Sequence, residues 1–366
     1  MRTTLVLVLA LPFATMTGMT LWITDFTAVG GELADARWSF ILLATGVFFL
    51  QYPLLALRWR MLLDVPDGPR PPMREMTGLM LVAHVFDLVI PGPAGDLAVS
   101  YLLKIRRGLT MANATAAGAY GRIFGLISLA TLPMVLAPLL FDELPSMVER
   151  TLDGGMVVAL IAGSSMLALA IHPRGWAWLV RSLARVMPVR WRESDTRTGR
   201  GVRGMMAYLS GLAIHSHRIA ATPARMIGAA LLSLAVIGIN VLCLHLMLLG
   251  LHTSLPLAWV TFAFCAQMVA NVAGFGIPGG GNITAPVVCL AVFHGLMGIG
   301  EERVVSVLFL SWTPNILACA AGLVISLPNL DHIAHSLKIG ADVHDDSPPV
   351  QTEEGPGSAT PPDAPR

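Results

Sequence analysis

The stretch VIPGPAGDLAVSYLL, residues 89–103, interrupts a long apolar segment with Ile-Pro-Gly and further glycine. A second stretch, GIPGGGNITAPVVCL at residues 276–290, repeats the same interruption later in the chain. Proline and glycine are the residues that most strongly oppose a continuous helix. The surrounding sequence must therefore explain why an apolar chain is broken twice in nearly the same way.

The composition indicates a membrane protein. The chain has 366 residues, of which 55% are hydrophobic and 13% are charged, and its mean hydropathy is +0.68. Soluble domains carry about 25% charged residues. The apolar runs approach or exceed the roughly 20 residues that a bilayer-crossing helix needs. We therefore expect an all-α polytopic membrane protein.

The sequence shows no catalytic or metal-binding signature. It contains no P-loop, no G-x-S-x-G and no H-E-x-x-H. The cysteines, Cys243, Cys265, Cys289 and Cys319, lie far apart in apolar segments without metal-ligand spacing. We expect no enzyme activity, no metal or other cofactor, and no nucleic-acid partner.

Six apolar segments are candidates for full membrane spans, and two further apolar regions, 75–103 and 257–297, contain the breaks. The first run resembles a signal peptide, but it continues to Ile23 without an A-x-A-like cleavage site and is kept as a span. The six candidate spans lie at about 5–23, 38–57, 111–140, 154–171, 225–249 and 304–327.

The loop charges indicate an orientation. Lys and Arg concentrate in segments 58–74, 104–107 and 173–225, which the positive-inside rule assigns to the cytoplasm. Because basic segments flank region 75–103 on both sides, that region enters and leaves on the same face. Its first arm, residues 76–90, spans about 22 Å as a helix, short of the roughly 30 Å hydrocarbon core. We therefore predict a re-entrant hairpin with PGPAG at its tip.

The second break predicts a matching hairpin that enters from the outside. A span, a hairpin and a span in one half then correspond to the same units in the other half, with opposite orientation. Such an inverted-topology repeat is typical of transporters whose site lies near the bilayer midplane. The alternative is that each break is a kink between two full spans, which gives six to eight spans by hydropathy.

The chain divides into a membrane domain, about 1–330, and a tail at 335–366. The tail is rich in Pro, Gly, Ser, Asp and Glu and is expected to be disordered. Segment 173–223 has apolar residues at helical spacing with arginines between them, which predicts a cytoplasmic interfacial helix that contacts anionic lipid. An ordinary positive-inside loop would have the same charge.

The breaks also suggest a binding site. A half-helix that begins at membrane depth presents free N–H groups and a positive dipole end, and Asp96 and Asn282 are candidate N-caps. These two tips could together hold a phosphate or another anionic headgroup. The alternative is that the glycines only permit close helix packing. The tip glycines concerned are Gly92, Gly95, Gly279, Gly280 and Gly281.

Charges inside the spans are the strongest single-residue candidates. Arg122 lies about three turns into the span at 111–140 and could bind an anionic headgroup or pair with Asp96 or Asp87. Asp87 could pair with Arg122 or form a proton relay with His84, although packing is the commoner role for such a histidine. Asn271 is a weaker candidate, since intramembrane Asn more often joins two helices.

Four segments in order carry a family resemblance. LRWRMLL (57–63), IPGPAGDLAVSYLLK (90–104), YGRIFGL (120–126) and IPGGGNI (277–283) resemble the lysylphosphatidylglycerol synthase transmembrane family. These are flippase-like proteins related to the flippase half of bacterial multiple peptide resistance factors. The resemblance covers about 1–330.

The resemblance implies a function. It implies a multi-pass protein of the bacterial inner membrane that moves an anionic, modified or polyprenyl-phosphate-linked lipid between leaflets, with both termini in the cytoplasm. It implies no synthase activity without the soluble aminoacyl-transfer domain. The chain departs from the family at charged positions, such as Pro93 for a basic residue and Ala285 for an acidic one. Arg122 and Asp96 match the family.

The alternative function is a non-catalytic membrane partner or scaffold. Such a protein would support a lipid- or glycan-synthesising enzyme through its basic segment 173–223. It would carry out no transport.

Overall fold

The computed structural model describes residues 26–65, 70–89, 94–140, 197–273 and 287–326, with a few isolated positions between 141 and 196. The predicted spans at 5–23 and 154–171 and the tail at 335–366 lie outside the residues that form described elements. So do the tip residues Gly92, Gly279, Gly280, Gly281 and Asn282.

The described chain is helical outside its turns. Three short helices are followed by longer ones. The last turns before α10 form a π-helix at Ala291–Leu296 within the helical segment Val287–Leu296. The helices are α1 (Phe26–Ala34), α2 (Trp38–Phe49), α3 (Gln51–Leu62), α4 (Met73–Val89), α5 (Ala94–Arg107), α6 (Met111–Leu140), α7 (Arg197–Ala220), α8 (Pro223–Gly250), α9 (Leu257–Ala273) and α10 (Glu301–Ser326).

Three described helical units are long and apolar enough to cross a membrane: Trp38–Leu62, Pro223–Gly250 and Glu301–Ile325. The last two begin and end within three residues of the predicted spans. α6, with 30 residues, has the predicted bounds of its span. The lengths of the apolar runs in the sequence therefore placed these helices well.

The first of these units differs from its prediction at its end. The helix was expected to finish near residue 57, with Arg58 in a cytoplasmic loop and Trp59 at headgroup level. Instead α3 continues to Leu62, and both side chains are buried. The prediction was wrong because it ended the helix at the first charge. A buried arginine inside a helix end gives the same hydropathy signal as a loop.

Helices α4 and α5 form an antiparallel hairpin. Arg107 at the end of α5 pairs with Glu75 at the start of α4. At the other end, the Gly95 N–H donates to Asp87 Oδ1 at 2.9 Å. Gly108, with φ of 65°, ends α5 in the left-handed conformation that glycine adopts most easily. The arms have 17 and 14 residues, about 26 and 21 Å.

Helices that are distant in sequence pack against each other. α4 packs along α10, whereas α9 packs along α6. α8 packs along α2 and α3 and also contacts α6. The helices that flank the two sequence breaks are therefore each covered by a long helix from the other end of the chain.

Polar contacts tie the helix ends together on two opposite sides. At one side, Arg303 at the start of α10 pairs with Glu32 of α1 at 3.0 Å, and the Arg37 N–H donates to the Gly250 carbonyl. At the other side, Asp64 after α3 contacts Arg218 of α7 at 3.2 Å. α6 also meets Asp64 there, through Asn113.

Helix α7 lies within the predicted interfacial segment 173–223. It packs along α6, where the Tyr120 hydroxyl donates to the Ser216 carbonyl at 2.9 Å. Leu212 and Ile219 are buried, whereas Ile214 is exposed. The helix is therefore docked on the membrane domain as well as amphipathic.

Close packing of α4 on α10 predicts a stability effect. A Cβ at Gly322 would collide with the Leu81 carbonyl and lie 2.8 Å from Val85 Cγ2. Because a backbone atom cannot yield easily, Gly322→Ala should destabilise the fold by about 1–3 kcal/mol. Thermal unfolding in detergent should show a lower Tm. Gly238→Ala in α8, where a Cβ meets nothing within 4 Å, is the matched control. Equal unfolding temperatures for the two variants would contradict this packing.

Candidate charged site at the hairpin tip

An ion-paired cluster joins the tip of the α4–α5 hairpin to α6. The Arg122 Nε donates to Asp96 Oδ2, and its Nη2 donates to Asp87 Oδ1 and Oδ2 at 3.0 and 3.2 Å. One guanidinium therefore binds two carboxylates from two different helices. Among the predicted site residues, Arg122, Asp96 and Asp87 are the ones that the structure brings together, and the predicted pairing alternatives are both present.

Glycine permits this arrangement. A Cβ at Gly95 would collide with the Ala83 carbonyl and lie 2.7 Å from Asp87 Cγ. The absence of a side chain at Gly95 lets α4 and α5 approach closely enough for Asp87 to accept its amide hydrogen bond. The close packing named as one role of the tip glycines is therefore present at Gly95, and the binding of a headgroup there stays a prediction.

The N-terminus of α5 differs from the predicted cap. The helix begins at Ala94, so Asp96 lies inside its first turn and turns its carboxylate to Arg122. The carboxylate that meets a free backbone N–H is that of Asp87, from the preceding helix. A helix N-terminus favours a negative group, and here an internal carboxylate supplies it.

The cluster is partly open. The side chains of Arg122 and Asp87 are 35% and 37% exposed, whereas that of Asp96 is 14% exposed. A group that approaches the cluster therefore reaches Arg122 and Asp87 first, while Asp96 lies beneath them.

The helix lengths place the cluster far from either end of the bundle. Arg122 lies eleven residues after the start of α6, about 16 Å along its axis. Asp87 lies fourteen residues after the start of α4, about 21 Å. Both starts are on the side that carries Asp64 and Glu75. In a hydrocarbon layer of about 30 Å, these distances correspond to the interior.

Arg58 is a member of this site that the sequence reasoning missed. Its side chain is buried in α3, and its Nη1 donates to Ser233 Oγ of α8 at 3.0 Å. Arg58 also interacts electrostatically with Asp96 and Arg122. The motif LRWRMLL contained the signal, but the arginine was counted as a loop charge because it follows the apolar run.

Two glycines of α6 seat α3 against the cluster. A Cβ at Gly121 would lie 3.0 Å from the Arg58 Nε and Nη2. A Cβ at Gly118 would lie 2.8 Å from Trp59 Cζ2 and 3.2 Å from Asp96 Cγ. These positions let a guanidinium and an indole lie directly on the helix backbone.

The proposed His84–Asp87 relay is not what the geometry favours. The His84 ring packs edge-on against Tyr52, with centroids 5.7 Å apart, and against Phe48 at 6.3 Å. Asp87, one turn later, faces Gly95 and Arg122 instead. His84 therefore packs against aromatic rings, which is the commoner role expected for a histidine in a span.

The remaining candidates are not tested by this geometry. Asn271 belongs to α9, and its side chain is outside the described set. Within the described ranges, no cluster of His, Cys, Asp and Glu could hold a metal ion.

Long apolar helices around a partly buried charged cluster define an integral membrane protein. The chain belongs to the family described as the lysylphosphatidylglycerol synthase TM region, which matches residues 4–325. The resemblance seen in the four sequence segments is thereby confirmed.

One curated relative is a protein named glycosyltransferase AglD, from Haloferax volcanii. It is 26% identical over 294 residues, which cover 74% of this chain and 45% of the relative. The chain therefore matches less than half the length of that protein. No solved structure matches the chain.

The ion-paired cluster predicts a charge-balance effect on stability. Arg122→Gln leaves two carboxylates with Arg58 as the one nearby cation, which should lower the free energy of unfolding by about 1–3 kcal/mol. Adding Asp87→Asn in the same chain should restore much of the loss, because Asp96 then faces Arg58 as one anion and one cation. Thermal unfolding measures both, with Arg106→Gln at an exposed position as the control. A double variant that is less stable than Arg122→Gln would contradict the charge-balance explanation.

Proposed function

We propose that the protein moves a lipid with an anionic or modified headgroup, or a polyprenyl-phosphate-linked lipid, between the leaflets of the bacterial inner membrane. The observation that carries this proposal is Arg122, held by two carboxylates at the tip of a hairpin and partly exposed. Charges at this depth are costly and are kept for function.

The chemistry of the cluster suits an anionic headgroup. A guanidinium binds carboxylate or phosphate as a planar fork. Asp87 and Asp96 already occupy that fork, so an incoming anion replaces carboxylates on the same donors. The exchange keeps Arg122 paired before and after binding, so no cation is left uncompensated. The displaced carboxylate must be hydrated or take up a proton, and Asp87, at 37% exposed, is the one more open to water.

The packing of the hairpins supports a transporter architecture. The arms α4 and α5 are shorter than a full span, and α4 covers α10 while α9 covers α6. This exchange between halves is the pattern that an inverted repeat with two re-entrant hairpins would produce. In our proposal, the halves rock around the cluster and expose it to each leaflet in turn.

The charge distribution supports an orientation. The side that carries Asp64, Glu75, Arg107 and Arg218 contains the basic segments, so we assign it to the cytoplasm. α10 then ends on the cytoplasmic side, and the predicted span at 5–23 would put the N-terminus on that side too. Segment 173–223, which includes the docked helix α7, would contact anionic lipid there.

A second candidate is a membrane partner for a lipid- or glycan-synthesising enzyme. It is favoured by the relative named a glycosyltransferase, in which the matched region is 45% of the protein. In the relative, the matched region belongs to a longer chain. In this second proposal, the present protein would bind an enzyme that is a separate chain. We propose no catalytic activity for this chain in either case.

Lipid transport predicts a defect in one variant. In proteoliposomes with fluorescent phosphatidylglycerol, leaflet-resolved quenching should show transfer by the wild type and at least about tenfold slower transfer by Arg122→Ala. Arg106→Ala, an exposed arginine, should transfer at the wild-type rate. Transfer by Arg122→Ala as fast as the wild type would remove the assigned role.

The scaffold alternative predicts the opposite pattern. The wild type would then transfer no lipid, and support of a partner enzyme would survive Arg122→Ala but not removal of residues 173–196. Those residues precede α7, so the helix that packs on α6 is retained in this deletion. Lipid transfer that depends on Arg122 would exclude the scaffold as the sole function.

A further inference from the structure

We infer that Arg58 is the second arginine of the anion site, and that Arg58 and Arg122 together bind one phosphate group of the lipid. This inference rests on the proposed function and specifies its substrate class as a phosphate-bearing lipid. Nothing in the comparisons assigns a role to Arg58.

Among the described residues, no carboxylate forms a hydrogen bond with Arg58. The two carboxylates of the cluster both bond to Arg122. Arg58 Nη1 donates instead to the neutral Ser233 hydroxyl. Its Nε is buried and has no hydrogen-bond partner among the described residues. Burying a guanidinium with an unused donor costs free energy. An anion that bound to Arg58 would remove this cost.

Asp96 interacts with both arginines. Its carboxylate pairs with Arg122 and also attracts Arg58, while the two arginines repel each other. Asp96 therefore occupies the region in which the fields of both guanidinium groups overlap. An anion that displaces Asp96 enters a place where two cations act on it.

The α6 backbone leaves room for the Arg58 side chain. Gly121 precedes Arg122 in α6, and a Cβ there would press on the Arg58 guanidinium at 3.0 Å. Ser233, the partner of Arg58, lies ten residues into α8, about 15 Å along its axis. Arg58 thus reaches from α3 to the depth of Arg122.

A phosphate group can pair with two guanidinium groups at once. A phosphodiester has two non-bridging oxygens, so each can accept hydrogen bonds from one arginine. A phosphomonoester or diphosphate offers more charge and more acceptors. The same chemistry occurs in a lipid headgroup and in a soluble phosphate, and the experiment separates these sources.

The test is native mass spectrometry of the full chain in detergent. The probes are dioleoylphosphatidylglycerol, dioleoylglycerol without a phosphate, and inorganic diphosphate. Arg58→Gln should weaken phosphatidylglycerol binding about tenfold and leave dioleoylglycerol binding unchanged. Arg58→Lys keeps the charge but not the planar guanidinium, so its phosphatidylglycerol affinity should lie between those of the wild type and Arg58→Gln. Arg106→Gln should bind phosphatidylglycerol as the wild type does.

A second variant tests Arg58 without removing it, in case Arg58→Gln does not fold. Gly121→Ala places a methyl group against the guanidinium, whereas Gly125→Ala, one turn along α6, meets nothing within 4 Å. Gly121→Ala should weaken phosphatidylglycerol binding several-fold relative to Gly125→Ala.

The outcomes are distinct. Wild-type phosphatidylglycerol binding by Arg58→Gln, or equal losses for phosphatidylglycerol and dioleoylglycerol, overturns the inference. If the protein binds diphosphate through Arg58 but does not bind phosphatidylglycerol, the phosphate ligand is not a lipid headgroup. Arg58-dependent phosphatidylglycerol binding in a wild type that transfers no lipid supports the inference and removes the transport proposal. If Arg122→Gln loses phosphatidylglycerol binding and Arg58→Gln does not, the inference about Arg58 is wrong, and the transport proposal stands.

Discussion

The ion pair between Arg122 and two aspartates is the interaction on which the site depends. It links α4, α5 and α6 through one guanidinium. A cation inside an apolar helix bundle needs an anion nearby, because desolvation of an unpaired charge costs several kcal/mol. The hairpin break makes this possible, since Asp87 and Asp96 approach Arg122 from either side of the turn.

The same ion pair explains why glycine is concentrated there. Gly95 lets the two hairpin arms meet, and Gly118 and Gly121 let Trp59 and Arg58 lie on the α6 backbone. The cluster is therefore assembled by close backbone approach rather than by long side chains alone. In our proposal, an anionic headgroup exchanges with an internal carboxylate, and Arg122 stays paired with an anion before and after the exchange.

Sequence reasoning located the long helices and the main charged residues. The bounds of α6, α8 and α10 followed from the lengths of the apolar runs, and Arg122, Asp87 and Asp96 stood out because charges are rare in spans. Arg58 was missed because an arginine after an apolar run has the same signal whether it lies in a loop or is buried. The cap role of Asp87 was missed because it depends on the distance between two helices, which local sequence does not specify.

The most direct test of the account is a cryo-electron microscopy structure of the full chain in nanodiscs that contain phosphatidylglycerol. We predict that the turn between α4 and α5 lies within the hydrocarbon layer and that a lipid headgroup contacts Arg122. A turn that emerges on the far face of the bilayer, or an Arg122 that faces lipid tails without a headgroup, would contradict the account.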